Sequence, residues 1–307
     1  MSGGAPTNLP ASIRQRLLNI AQQRGDELQT VLVRYGIERW LYRLSRSDEK
    51  NRFVLKGASL FYVWEGGLRR PTRDIDFLGF GDASTDALGD VFRALCTVDV
   101  TPDGLTFHPE RVRAEPIRDT QEYGGIRVSL VATLAGARIP LSVDIGFGDA
   151  VTPRVETATF PTLLDLPAPR IRVYPPETMI AEKYEAMVSL GIVNTRMKDF
   201  YDVWILSEFH AFDGATLAMA IAATFARRNK PLPVESPVAL TALFGSDPAK
   251  QTQWRAFLNR SRLADAPTDL SVVSDRIRTF LWPLTESARD STSFTQAWLP
   301  GVGWSDL

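Results

Sequence analysis

Cysteine and histidine are nearly missing from this chain: Cys96 is the one thiol among 307 residues, and His108 and His210 are the two imidazoles. A single cysteine excludes an internal disulfide or a disulfide-linked scaffold. So few cysteines and histidines leave no zinc-ligand spacing and no catalytic triad built on histidine. Long apolar runs are missing too. No segment approaches the roughly 18 apolar residues of a membrane span, and "MSGGAPTNLP" has no basic region leading into an apolar one. The expectation is a soluble, cytoplasmic protein with no membrane partner. Lysine is scarce as well, six in all, and Lys56, Lys183 and Lys198 are half of them.

What is present suffices for a large core. At 44% hydrophobic, a chain of this length is expected to fold as about two domains without staples. Its net charge of −1 argues against coating nucleic acid indiscriminately. The charge is uneven, however: residues 1 to 80 hold 13 Lys/Arg against 8 Asp/Glu. An ordinary Arg-rich surface would look the same, so charge alone does not assign a nucleic-acid partner.

Apolar residues at helical spacing, from Leu17 to Leu44, predict two N-terminal helices. "RFVLKG" reads as a buried strand entering a glycine turn, "SLFYVW" as a helix, "RDIDFLGF" as a strand and "STDALGDVFRALCTV" as a helix. Three β-rich segments follow between residues 104 and 148, giving an α+β region with a mixed sheet. In the proline-bearing stretch 160 to 177 strand-like runs stop and helical periodicity takes over. The predicted domains are therefore 1–170 and a helical 171–307. Helices are expected at 176–190, 195–209, 213–228, 236–245, 250–259 and 268–286. The tail carrying Trp298 and Trp304 is expected to pack on the body.

Asp74 and Asp76 stand out within this pattern. Strand side chains alternate, so the two carboxylates share a face, and Ile75, Phe77 and Leu78 supply apolar packing around them. Crowded like charges beside apolar packing cost several kcal/mol unless a cation or a proton offsets them. An all-oxygen site without histidine or thiolate favours magnesium. The bland alternative pairs Asp74 with Arg70 or Arg73 and makes Asp76 a turn cap. Just upstream, Lys56, Gly57 and Ser59 sit at a strand-to-helix turn, where glycine lets backbone approach an anion. A third carboxylate, Asp144, lies in the apolar run "IPLSVDIGFGD"; a salt bridge to a nearby arginine is its alternative reading. Asp149 reads as a turn residue. On later helices Lys183 is expected to hold a free ammonium over a cleft. Asp199 and Asp202 share a helix face, and Lys198 with Asp202 has the spacing of a surface ion pair.

These residues resemble the DNA polymerase beta type of nucleotidyltransferase, and more closely the AbiEii toxin family of bacterial abortive-infection and toxin–antitoxin systems. The resemblance rests on "KGAS" at 56–59, "RPTRDID" at 70–76, Asp144, "AEKYEAM" at 181–187 and "RMKDFYDV" at 196–203, in that order. Ala58 departs from the second glycine common in the family. The resemblance implies a polymerase-beta-like domain followed by a helical domain that closes the cleft. It implies two Mg²⁺ held by Asp74, Asp76 and Asp144. Lys56, Gly57, Ser59, Lys183 and Lys198 would bind nucleotide, and Lys183 and Asp199 would belong to the catalytic set with the three metal ligands. It further implies transfer of a nucleoside monophosphate from an NTP to an RNA hydroxyl, chiefly at a tRNA 3′ end, blocking translation, and a co-encoded antitoxin. Two rivals remain at this stage: a catalytically silent nucleotide- or partner-binding protein of the same fold, and a D-x-D glycosyltransferase.

Overall fold

The computed structural model describes residues 8–67, 70, 72, 74–117 and 124–306. The chain divides into two compact units. The first comprises residues up to Gly148 together with Glu156–Val173; the second comprises Asp149–Val155 and everything from Tyr174 on.

In the first unit, α1 (Leu9–Arg24) is capped by the Asn8 side chain and stopped by Gly25 in the left-handed region. It is followed by α2 (Leu28–Arg46), β1 (Phe53–Lys56), α3 (Leu60–Glu65), β2 (Asp74–Gly79) and α4 (Thr85–Cys96). The strands β3 (Thr106–Phe107), β4 (Arg113–Pro116), β5 (Ile126–Leu134), β6 (Ala137–Phe147), β7 (Glu156–Thr159) and β8 (Arg170–Val173) complete it. They form one mixed sheet in the order β3-β5-β6-β2-β1-β8-β7, with β4 on β5. The β2–β6 and β1–β8 pairs are parallel and the others antiparallel.

Strand alternation gives β2 its two characters. Ile75 and Phe77 are fully buried while Asp74 and Asp76 are half-buried on the other face. Beneath the apolar face Trp40 of α2 stacks on Phe92 of α4 at 4.8 Å between ring centroids and tilts against Phe77 at 6.1 Å. Phe53 closes the cluster at 5.7 Å from Phe77. Gly36 lets α2 approach the sheet: a Cβ there would lie 3.0 Å from Ile139 and 3.2 Å from Leu141.

Polar groups on α2 fix the chain that returns to β8. Buried Asp103 accepts from Arg43 at 2.6 Å, and the Arg39 guanidinium donates twice to the Pro167 carbonyl at 3.0 Å. Glu38 accepts the Leu163 N–H at 2.7 Å, and burial pushes its carboxyl up to about 7. Segment 160–177 thus does not end the strands. It supplies β8, which pairs with β1 and extends the first unit through Val173.

The second unit holds α5 (Pro176–Leu190), α6 (Met197–Phe209), β9 (Phe212–Asp213), α7 (Gly214–Arg227), α8 (Ala242–Gly245), α9 (Pro248–Ser261), α10 (Leu270–Arg289), β10 (Ala297–Leu299) and β11 (Gly303–Ser305). Asp149–Val155 joins it through Thr178, whose hydroxyl donates to the Thr152 carbonyl and accepts the Thr152 N–H. The helix expected over 236–245 is instead a 3₁₀ turn at Val238–Leu240 followed by the four-residue α8. The tail forms a three-stranded sheet, β11-β10-β9, and its Trp298 is fully buried, donating to the Ser207 carbonyl at 2.7 Å. Among the described residues no helix is long and apolar enough to cross a membrane.

Removal of the ring that anchors α2 under the sheet should be costly. Trp40→Ala is expected to destabilise the first unit by about 3–5 kcal/mol, measured by urea unfolding.

Candidate active site

Parallel pairing of β2 with β6 brings the three predicted carboxylates onto one patch of sheet. Asp76 is the register partner of Asp144, and Asp74 is the partner of Ser142. On the other side of β2, Lys56 is the antiparallel partner of Asp76; across β6, Arg127 of β5 is the partner of Asp144. A row Lys56, Asp76, Asp144, Arg127 therefore crosses four strands on one face, with two negative charges between two positive ones.

Arg127 holds Asp144 in a two-point pair, Nε to Oδ1 at 2.7 Å and Nη2 to Oδ2 at 2.6 Å. The guanidinium is held well above its ordinary pKa by these hydrogen bonds, with the charges of Asp144, Asp74 and Asp76 adding to the effect. Asp144 thus adopts the arginine-paired alternative open in the sequence. Arg127 itself was missed, because its contact depends on the β5–β6 register. Of the two arginines offered as partners of Asp74, Arg73 lies outside the described residues and Arg70 is buried.

Gly57 is required here by a neighbour within the fold. Its φ is +71°, and a Cβ would stand 2.1 Å from Asp76 Oδ2. The space a side chain would fill is taken by the carboxylate itself, so the turn fixes where Asp76 points. Ser59 ends the 3₁₀ turn Gly57–Ser59, and its hydroxyl is buried with no hydrogen-bond partner among the described residues. An orphaned hydroxyl of this kind costs about 1–3 kcal/mol. The helix that follows is only six residues long, so the turn supplies its own N–H groups rather than a long-helix dipole.

The donor set suits a hard divalent cation: carboxylates with an adjacent serine hydroxyl and no histidine or thiol. Backbone placement fits this cation for Asp74 and Asp76. Among the described residues, however, no three acidic or His/Cys side chains gather closely enough to hold a metal ion, and both Asp144 oxygens are paired with Arg127. Gly57→Ala is expected to displace the Asp76 carboxylate. The expected loss of divalent-cation affinity is about tenfold or more at a stability cost of about 1–2 kcal/mol, read by calorimetric titration beside urea unfolding.

In the second unit Lys183 is not a free ammonium. Its Nζ lies 2.6 Å from Asp199 Oδ1 and 2.8 Å from Asp202 Oδ2, and all three residues are buried. Arg196 Nε lies 2.6 Å from Asp199 Oδ2. The shared helix face of Asp199 and Asp202 is therefore used inward, towards α5. Asp202 turns from the expected Lys198 pair to Lys183, and Lys198 stays exposed. Glu185 of α5 pairs with Arg228, which also reaches Asp149 at 3.7 Å, so Asp149 is more than a turn residue. Burial by itself would raise the Asp199 carboxyl, but Lys183 and Arg196 outweigh it and hold the pKa below the ordinary value. A depressed folded-state pKa stabilises above the unfolded value and is lost as pH falls through the folded one. The second unit should accordingly lose stability below about pH 4. Asp199→Asn should be less stable at neutral pH and flatten that acid limb, measured by unfolding between pH 2 and pH 7.

Comparison with known proteins places this arrangement. A family model described as "Nucleotidyl transferase AbiEii toxin, Type IV TA system" matches residues 39–282. Among solved structures, JHP933 from Helicobacter pylori matches with 17% identity and a TM-score of 0.42, over 82% of this chain and 89% of that one. A second H. pylori structure, of a "putative nucleotidyltransferase", matches with 17% identity and a TM-score of 0.40, over 82% and 92%. Comparison with curated proteins gives no match. The family match spans both the carboxylate strands and the Lys183 and Asp199 helices, and the chain belongs to the AbiEii nucleotidyl transferase toxin family of type IV toxin–antitoxin systems.

Proposed function

We propose that this chain transfers a nucleoside monophosphate from an NTP to the 3′ end of a tRNA, releasing pyrophosphate and blocking translation, and that a co-encoded antitoxin restrains its effect. The observation that carries this reading is the common sheet face of Asp74 and Asp76 with Asp144 in register beside them, in a chain of a nucleotidyl transferase family. A magnesium ion held by Asp74 and Asp76 would supply positive charge against the triphosphate. Asp144 would accept the proton of the attacking hydroxyl. The Gly57 turn would hold Asp76 in place, and Lys56 and Ser59 would bind phosphate oxygens. The parts of Lys183, Lys198 and Asp199 in this reaction rest on the motif resemblance alone. The excess of positive charge over residues 1 to 80 supports an RNA acceptor.

One observation favours a second reading, a catalytically silent binder of the same fold: both oxygens of Asp144 are taken by Arg127. Incubation with each of four labelled NTPs, magnesium and total RNA separates the two. The expected result is label on an RNA of tRNA size with pyrophosphate release, and a fall of about 100-fold or more in Asp74→Asn. Absence of label from every RNA would leave the silent binder, whereas an Asp74→Asn variant as active as the parent would remove Asp74 from the catalytic set.

A further inference from the structure

A carboxylate that is to meet a divalent cation needs a counter-ion while the cation is away, and the four-strand row shows which side chain serves. Asp144 has its register neighbour Asp76 on one side and Arg127 on the other. Unscreened, two carboxylates side by side would repel. Arg127 offsets that repulsion with two hydrogen bonds through Nε and Nη2, which leaves Nη1 outside the pair. Arg127 keeps 48% of its side chain exposed and Asp144 keeps 21%, so water reaches both and the pair can open without stranding a buried charge. Contrast Lys183 with Asp199 and Asp202, where the carboxylates are 1% and 0% exposed and no exchange is available.

We propose that Arg127 is an exchangeable counter-ion for Asp144: it competes with the divalent cation for that carboxylate and, once displaced, pairs with the phosphates of the bound nucleoside triphosphate. This inference rests on the reading of the Asp74, Asp76 and Asp144 face as a metal–nucleotide site. Three features of the row carry it. The guanidinium occupies the two oxygens a third metal ligand would use. Its register position puts it beside Asp144, with Asp76 on the next strand and Asp74 two residues along that strand, so it already lies near all three. Its planar fork suits a phosphate as well as a carboxylate, and a triphosphate arriving with its cation replaces the partner that Arg127 gives up. Arg127 is in this sense a positioning residue that couples occupation by the cation to binding of the phosphates.

The test is calorimetric titration of the full chain with Mn²⁺ alone, and with a non-hydrolysable NTP at saturating Mn²⁺. Arg127→Gln is expected to bind Mn²⁺ about tenfold more tightly than the parent and the nucleotide about tenfold more weakly. Arg127→Lys is expected to fall between them, because a point charge restores attraction without the two-point fit. In an Asp144→Asn background, Arg127→Gln should leave Mn²⁺ affinity unchanged. Urea unfolding of each variant separates these effects from misfolding, and the exposed position of Arg127 on β5 makes folded variants the expectation. The proposal is overturned if the parent binds Mn²⁺ and Arg127→Gln binds it no more tightly, or if nucleotide affinity is unmoved. Absence of Mn²⁺ binding in the parent, together with no effect of Asp74→Asn, would overturn the metal-site reading and this inference with it.

Discussion

Parallel pairing between β2 and β6 is the constraint on which the candidate site depends, because it forces Asp76 and Asp144 to be neighbours on one face. Strands in a sheet lie about 5 Å apart. At that spacing two unit charges repel by about 3 kcal/mol at the effective dielectric constant of a protein surface. The fold supports this repulsion from three directions. Phe77, Ile75 and Ile145 are buried on the opposite face, where Phe77 meets Trp40, so the strands cannot slip by one residue without exposing apolar side chains. Gly57 leaves room for the Asp76 carboxylate that any other residue would fill. Lys56 and Arg127 close the two ends of the row with positive charge.

Much of this was legible in the sequence where the signal is periodic. Alternation in "RDIDFLGF" placed Asp74 and Asp76 together amid apolar neighbours, and the helices of residues 11 to 46 followed from their spacing. Long-range pairing was not legible. Arg127 and Asp144 are 17 residues apart on a hairpin whose register depends on the turn at Ala135 and Gly136, both with positive φ. β8 was hidden because "RIRV" is short, charged and flanked by prolines; what makes it a strand is pairing with β1 and the hold of Glu38 and Arg39 on the preceding segment. At Gly57 the sequence indicated a turn where glycine lets backbone come close to another group, and the neighbour it admits within the fold is the Asp76 carboxylate.

Lys183 illustrates the limit of reading a helix by faces. Met179, Ile180 and Met187 do line a core, as their spacing indicates, yet Lys183 is buried with them instead of projecting from it. A lone lysine there would be costly to bury. It is tolerated because α6 turns Asp199 and Asp202 to the same spot, and Arg196 balances the second carboxylate. Such a knot contributes little net stability over an apolar core of the same shape, but removal of one member strands the others. Its effect is to fix the relative placement of α5 and α6 within the second unit.

The two charge clusters obey the same electrostatics and differ in access to water, which decides what each can do. In the second unit, separating Lys183 from Asp199 or Asp202 would leave a carboxylate with 1% or no exposure facing only protein, so the partners are fixed for the life of the fold. In the first unit, Asp144 and Arg127 both keep exposed side-chain surface, so water can hydrate each charge when their pair opens. A structural salt bridge and an exchangeable one are thus told apart by burial rather than by distance, since 2.6 Å separates the charged atoms in both. On this argument the sheet face, with its half-buried carboxylates and a solvent-exposed arginine, is the cluster whose partners water can help to exchange, whereas the buried knot keeps its partners.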